Sequence, residues 1–393
     1  MRTRSRLAVA VAALLANADP IHAQVPKGRI TVVDIIPRAQ SGETNQDSEA
    51  SLAINPRNTH ELVASTVTPS QGFCGTRRAP VFVTSDEGNN WVLSCIIPTD
   101  DGGSGTGDIS VRYGESGTLY AGILRFPGYL RLNILRTSNV YGPDPMAILV
   151  DRDGVDQPSV KSIGVLGQNG IVRDRVYVGN NDFSAPQQRS ATIDVSSDGA
   201  ASPPAFRSLR IESRNTPEQD GPPIRVAAHR DGTTYAAFYG WRGGGADFRT
   251  ADVIVVRDDD GVTGSDLFGA LKDKSDGLSG ALVASSRVVP WQPESQPTFG
   301  QERLVASHIA IAVDPRTSAT VIVTWGDKSQ AGDYRLHLAR SNDRGMTWRQ
   351  IMEVSNAINP GVAINAEGVI GFLFQRLVGP GQQANWETHL LRT

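Results

Sequence analysis

The 393-residue sequence has only two cysteines, and aromatic residues make up only 6% of it. Beyond residue 23, no apolar run approaches the roughly 20 residues that a membrane-spanning helix needs. No cluster of lysines and arginines is found there either, which argues against nucleic acid and anionic membrane surfaces as partners. Glycine and proline are plentiful, with 40 and 23 residues. Their abundance predicts many turns and few long helices.

The N-terminus has the pattern of a secretory signal peptide. The first six residues include three arginines, and Leu7–Leu15 is apolar but too short to span a bilayer. Ala16–Ala18 and Ile21–Ala23 are small-residue cleavage sites. We therefore expect a signal peptide within residues 1–23, cleaved after residue 18 or 23, and a secreted or periplasmic protein. An uncleaved anchor is the alternative. Cleavage after residue 18 removes three arginines and no acid, so the formal net charge falls from −3 to −6.

The two cysteines, Cys74 and Cys95, lie on either side of an acidic turn. In an oxidising compartment a disulfide between them is favoured over two free thiols. Two cysteines alone do not predict a metal site.

That acidic turn, TSDEGNNW at Thr84–Trp91, has a second copy, SNDRGMTW at Ser341–Trp348. Each follows a strand-like run and precedes another, which predicts a β-hairpin. The aspartate can accept hydrogen bonds from backbone N–H groups of the turn, and the glycine can adopt a positive φ. We expect the tryptophan to face inward and pack on the core.

A second repeated element lies upstream of each hairpin or its degenerate version. It consists of an apolar strand, a turn and a second apolar strand, and its six copies begin at Glu49, Asp108, Gln157, Pro223, His308 and Asn359. Each repeat then supplies about four strands, which favours a six-bladed β-propeller. The last repeat looks one strand short, so we expect the strand-like segment at residues 29–36 to close its blade. Ser265–Ser286 begins with a helix start signal and predicts a short helical insertion. Several separate β domains are the alternative.

The two tryptophan turns resemble the Asp-box, S/T-x-D-x-G-x-x-W, of sialidases and related bacterial-neuraminidase-repeat proteins. The resemblance implies an all-β fold, a single six-bladed propeller of four-stranded antiparallel blades over residues 28–393. It also implies a structural role for the box residues, which are Thr84, Asp86, Gly88, Trp91, Ser341, Asp343, Gly345 and Trp348.

The same resemblance implies a glycoside-hydrolase-like activity on carbohydrate. The residues that would cleave sialic acid are not found. The family's Phe-Arg-Ile-Pro motif is missing ahead of the first turn, and no tyrosine lies in Ala357–Gly361, where the last repeat begins. The substrate is therefore undefined. A non-catalytic module that binds a glycan or a protein, or an assembly scaffold, remains the alternative.

In a propeller, ligands bind where the innermost strands begin. For this chain we expect Asp108 and Asp156 to be the catalytic carboxylates, which would require a separation of about 5–9 Å. The expected ligand-binding residues are Glu49, Arg112, Arg225, His308 and Asn359.

No cofactor is expected. Calcium at the acidic loops Asp100–Gly103 or Asp258–Gly261 is a weaker alternative, because neither has a full set of ligands at EF-hand spacing. A glycan or another cell-envelope component is the expected partner, bound by a monomer that does not span the membrane.

Overall fold

The computed structural model describes residues 32–36, 48–67, 74, 80–98, 106–125, 130–166, 172–184, 191–214, 224–244, 248–290, 309–329, 333–379, 381 and 384–393. Its regular elements are β-strands, and these ranges contain no α-helix. No helix in these ranges therefore has the length and apolar character to cross a membrane. The chain divides into two compact units, of which unit 2 contains Val33–Thr234 and Asp258–Ala270, and unit 1 contains Tyr235–Arg257 and Leu271–Thr393.

Unit 2 contains three four-stranded antiparallel sheets, each built from strands that follow one another in the chain. The first consists of β1 (Ser48–Ile54), β2 (Leu62–Val67), β3 (Val81–Thr84) and β4 (Val92–Ser94). The second consists of β5 (Thr106–Tyr113), β6 (Leu119–Arg125), β7 (Arg131–Thr137) and β8 (Ala147–Asp153). The third consists of β9 (Val155–Leu166), β10 (Val172–Asp182), β11 (Ala191–Ser196) and β12 (Arg207–Arg210). A further strand, β13 (Arg225–Ala228), packs on β9 and β10.

The three sheets of unit 2 pack face to face through apolar side chains. The first strands β1, β5 and β9 lie next to one another, as in the blades of a propeller. Val63 and Val81 of the first sheet share a core with Val111 of the second, and Tyr120 of the second shares a core with Val176 of the third. Alternation along the strands produces this packing, because each strand presents apolar side chains to both neighbouring sheets.

Unit 1 has a long antiparallel sheet and a shorter one. The long sheet contains β14 (Thr234–Gly244), β15 (Phe248–Asp258), β16 (Ala281–Pro290), β17 (Ile309–Val313), β18 (Val321–Lys328), β19 (Tyr334–Ser341) and β20 (Arg349–Ser355). The pairing of β16 with β18 is limited to Val288 and Lys328. The short sheet contains β21 (Ala357–Ile364), β22 (Ile370–Val378) and β23 (Asn385–Arg392). Ile322 and Leu336 share a core with Phe372 and Phe374.

The predicted all-β class and the propeller arrangement of antiparallel sheets are confirmed, but the described residues show four recognisable blades where six are predicted. The sheet β21–β23 has three strands in the described part of the chain. Val32–Ile36, predicted to lie in a closing strand, belongs to no strand, and residues 29–31 lie outside the described residues. Val32 is 73% exposed and Val33 38% exposed, whereas Ile35 and Ile36 are partly buried.

The predicted helix within Ser265–Ser286 is wrong. This segment forms turns, short bridges from Lys272 to Ser279 and Gly280, and the first part of β16. Aspartate side chains hold its backbone, since Asp258 accepts the N–H of Phe268 and Asp273 accepts the N–H groups of Ser275 and Leu282. Such bonds compete with helical hydrogen bonds.

The predicted disulfide is confirmed. Cys74 and Cys95 are bonded, with their Cα atoms 5.2 Å apart. Because Cys95 directly follows β4, the bond attaches residue 74 to the edge of the first sheet.

The two tryptophan turns have the same hydrogen bonds. At the second turn, Ser341 Oγ donates to Asp343 Oδ1 at 2.7 Å, and Gly345 N donates back to Ser341 Oγ at 2.8 Å. Asp343 also accepts the backbone N–H and the hydroxyl of Thr347, and Trp348 Nε1 donates to Gly345 O at 2.9 Å. The first turn has equivalent bonds, made by Thr84, Asp86, Gly88, Asn90 and Trp91.

The position of the tryptophans corrects the expectation that they pack in the core. Trp91 and Trp348 are only half-buried, and each indole ring packs over the glycine of its own turn. A Cβ on Gly88 or Gly345 would lie 3.5 or 3.7 Å from the ring, and both glycines have a positive φ. Each tryptophan therefore closes its turn and contributes less to the core than predicted.

Candidate functional site

The first strand of four sheets has a β-bulge at the same position. In β9 the pairing moves from Asp156↔Asn181 to Ser159↔Gly179, so two residues oppose one. The equivalent irregularities in β1, β5 and β21 contain Glu49, Asp108 and Asn359. These are the residues that mark the start of the sequence repeats. Bulges redirect side chains and are frequent beside binding sites.

Two of the bulges also contain a residue other than glycine with a positive φ. Gln157 has a φ of 57° and Asn359 a φ of 54°. This conformation is uncommon for side-chain-bearing residues and is most easily adopted by asparagine among them. The backbone at the start of β9 and of β21 therefore departs from a regular strand at the positions identified as repeat marks.

Asp108 and Asp156 lie at the same edge of unit 2, at the starts of β5 and β9. The two strands are linked because Val160 N donates to Ser110 Oγ at 3.0 Å. The second strand of the same sheet, β6, also approaches β9 closely, since a Cβ on Gly122 would lie 3.1 Å from Pro158. Both aspartates are partly buried, and Asp156 Oδ1 accepts the N–H of Gln157 at 2.8 Å.

The two arginines that were predicted to bind a ligand lie at different distances from the starts of their strands. Arg225 is the first residue of β13, is half-buried, and has Nη1 3.5 Å from Ile224 O. Arg112 lies four residues beyond Asp108, opposite Tyr120. At a rise of about 3.3 Å per residue, Arg112 is about 13 Å along the strand from Asp108. Arg225 thus lies at a strand start like the aspartates, whereas Arg112 lies deeper.

The remaining predicted ligand-binding residues are not brought together with the aspartates in the described structure. Asn359 belongs to unit 1, where its Nδ2 donates to Gln375 Oε1 at 2.6 Å. His308 and the side chain of Glu49 lie outside the described residues.

A buried charged network at the edge that holds Asp156 was not predicted from the sequence. Arg152 of β8 donates to Asp182 Oδ2 at 2.7 Å, to Asn180 Oδ1 at 3.0 Å and to Asp194 Oδ2 at 2.8 Å. Asn180 also donates to Asp194 at 2.8 Å. The network adjoins the candidate site because Asp182 pairs with Val155, the residue before Asp156.

Burial and ion pairing oppose each other in this network. Burial is the largest influence on both Arg152 and Asp182, and it acts against their charged forms. The carboxylates of Asp194 and Asp182 nevertheless raise the pKa of Arg152, and hydrogen bonds from Ser184 and Arg152 lower the pKa of Asp182. Both groups therefore stay charged. The only sequence signal is the polar end of β10, Asn180–Asp182, after an apolar run.

The calcium expectation finds no support at Asp258–Gly261. Asp258 Oδ1 accepts the N–H of Val262 at 2.6 Å, and Oδ2 accepts the N–H of Phe268 at 3.1 Å, so both oxygens already bind the backbone. Asp100–Gly103 lies outside the described residues. Within the described ranges, no group of three or more His, Cys, Asp or Glu residues is placed to hold a metal ion.

Comparison with known proteins found no matching family model and no matching curated protein. Among solved structures, a xyloglucanase from Xanthomonas campestris is 14% identical with a TM-score of 0.44, covering 87% of this chain and 46% of its own. A Hadza microbial sialidase is 12% identical with a TM-score of 0.46, covering 89% of this chain and 67% of its own. An α-L-arabinanase from Penicillium chrysogenum is 12% identical with a TM-score of 0.48, covering 88% and 92%. This chain thus spans under half of the xyloglucanase, and similarity at this level assigns it no activity.

Proposed function

We propose that this protein is an exported, sialidase-like propeller that binds and cleaves a carbohydrate at the edge of unit 2 where β5 and β9 begin. Export is supported by the signal-peptide pattern of residues 1–23 and agrees with the Cys74–Cys95 disulfide. Carbohydrate as the ligand is supported by the resemblance of the two tryptophan turns to the Asp-box.

The observation that carries the proposal is the repeated bulge at the strand starts. It redirects the backbone at Asp108 and at Gln157, beside Asp156. Next to Asp156, Arg152 holds Asp182 and Asn180 in fixed positions. Fixed carboxylate and amide groups at one edge are suited to the hydroxyl groups of a sugar, which both donate and accept hydrogen bonds.

In this proposal Asp108 and Asp156 are the two carboxylates of a glycosidase pair. Such a pair needs one group to protonate the leaving oxygen and one to activate water or attack the sugar. Arg225, which also lies at a strand start of unit 2, would hold an oxygen of the ligand. Arg112 lies too far along β5 to share a ligand atom with Asp108.

We further propose that the complete fold has six blades, as the repeats predict. Support comes from the long sheet of unit 1, where β17–β20 form one antiparallel set and only one residue pair connects β16 to β18. The bulge in β21 is equivalent to those in β1, β5 and β9, which supports β21 as the first strand of another blade.

A glycan-array screen followed by product analysis tests the function. The wild-type protein should bind and cleave at least one glycan, and Asp108→Asn and Asp156→Asn should abolish cleavage. Both variants should retain thermal stability within about 1 kcal/mol, as expected for partly exposed site residues. Asp144→Asn, an exposed aspartate in the loop between β7 and β8, is the matched control. Undiminished cleavage by both site variants would disprove the assignment, and binding without any product would favour the non-catalytic alternative.

A further inference from the structure

Two cationic side chains on adjacent first strands of unit 2 form no ion pair with any residue that the structure describes. Arg112 of β5 and Lys161 of β9 each lie two residues beyond a serine of the repeat, Ser110 and Ser159. In the part of the chain that the structure describes, neither has a hydrogen bond or an ion pair. Arg152, another partly buried arginine of unit 2, is by contrast paired with Asp182 and Asp194.

The backbone around these two cations is held in register. Val160 N, next to Lys161, donates to Ser110 Oγ at 3.0 Å, two residues before Arg112. The side chain of Glu115 lies across Gly164 of β9, where a Cβ would be in steric conflict with it. Glu115 is exposed, and among the described residues it is the carboxylate that acts electrostatically on both cations. The pair therefore has an excess of positive charge on a rigid wall.

Burial makes the excess of positive charge at Arg112 and Lys161 energetically unfavourable. Burial lowers the pKa of Arg112, which Glu115 partly offsets. Burial and then the charge of Arg112 lower the pKa of Lys161 to about 7. Both side chains still retain partial solvent access. Desolvated like charges that outnumber the neighbouring carboxylates are typical of sites that bind an anionic ligand.

We propose that Arg112 and Lys161 form a binding site for a single anionic group, a carboxylate or a sulfate, on the wall formed by β5 and β9. Arg112 supplies a planar pair of donors and Lys161 a single ammonium group. The site is separate from the strand starts and does not rest on carbohydrate cleavage. Because an anion favours the charged ammonium, binding above neutral pH takes up a proton at Lys161.

Isothermal titration calorimetry with sulfate and with glucuronate tests this site. Sulfate stays fully charged from about pH 6 to about pH 8.5, so a change in its affinity reports on the protein. The affinity should fall about 30-fold over that interval, because a group with a pKa near 7 is then only about 3% protonated. Proton uptake near pH 8, measured in two buffers of different ionisation enthalpy, should approach one per site.

Variants separate this site from general charge effects. Arg112→Met and Lys161→Met should each weaken binding at pH 6 at least tenfold. Arg173→Met, which removes an arginine that is 51% exposed, should not. Lys161→Arg stays charged and should bind with little dependence on pH. The proposal would be overturned by an absence of saturable binding of both anions at pH 6, by wild-type affinity in both Met variants, or by an unchanged pH dependence in Lys161→Arg.

Discussion

Val160 N donates a hydrogen bond to Ser110 Oγ, and Val111 N donates in the same way to Ser51 Oγ, both at 3.0 Å. A serine at one position of the repeat thus accepts a backbone N–H from the first strand of the next sheet. This contact links neighbouring sheets where no strand pairing is available. It also fixes the strands that carry Asp108, Arg112 and Lys161.

Ser110→Ala should lower the free energy of unfolding by about 1–2 kcal/mol, because it leaves the N–H of Val160 without its acceptor. Ser51→Ala should have a similar cost. Ser197→Ala, at an exposed serine, should stay within about 0.5 kcal/mol of wild type. Urea denaturation measures all three. Equal stability of Ser110→Ala and Ser197→Ala would show that the hydrogen bond from Val160 N to Ser110 Oγ does not stabilise the fold.

Trp348→Ala should cost about 2 kcal/mol, less than the roughly 3–5 kcal/mol of an aromatic removed from a core. The reason is that the indole is half-buried and one hydrogen bond to Gly345 accounts for part of its contribution. Trp348→Phe, which keeps a ring and removes the donor, should cost about 1 kcal/mol. Denaturant unfolding measures both values. A loss above about 4 kcal/mol for Trp348→Ala would show that the indole packs in the core, as the sequence predicts.

Arg152→Met should destabilise the protein by about 3–5 kcal/mol, because it leaves Asp194 buried without a compensating charge. Adding Asp194→Asn should recover part of the loss, since the buried negative charge is then removed. Arg173→Met is the control. Its ion pair with Asp198 is 3.7 Å long and partly exposed, so the expected cost is about 0–1 kcal/mol. If the two arginine variants lose equal stability by thermal and chemical denaturation, the network is not a structural element.

Lys161 should make stability depend on alkaline pH. Its pKa falls from the ordinary 10.5 to about 7 in the folded chain, so between these values the unfolded chain binds the proton more tightly. Its contribution to the free energy of unfolding therefore rises with pH from about 7 to about 10.5 and is flat below that window. Lys161→Met should flatten that part of the pH profile and stabilise the protein at neutral pH. Parallel profiles for the variant and the wild type would contradict the lowered pKa.

The all-β class, the repeat and the pairing of Cys74 with Cys95 could be predicted from the sequence because each depends on local patterns. Alternation and turn residues specify strands, and the export that residues 1–23 predict favours a disulfide. The turn at Ser341–Trp348 was predictable for the same reason, since its hydrogen bonds join residues within four positions of one another. The repeat marks also indicated Asp108 and Gln157, although nothing in their neighbours showed that the backbone bulges there.

Other features were decided only by packing between distant residues. Arg152 binds Asp182, which is 30 positions away in the sequence, and Asp194, which is 42 positions away. No local sequence pattern predicts such pairs. The helix expected after Ser265 is replaced by turns because Asp258 binds the N–H of Phe268 from outside the segment. Arg112 and Lys161 are ordinary strand residues in sequence. Only the side-by-side packing of β5 and β9 places these two cations together. Burial and distance, which set their energies, are properties of the folded chain.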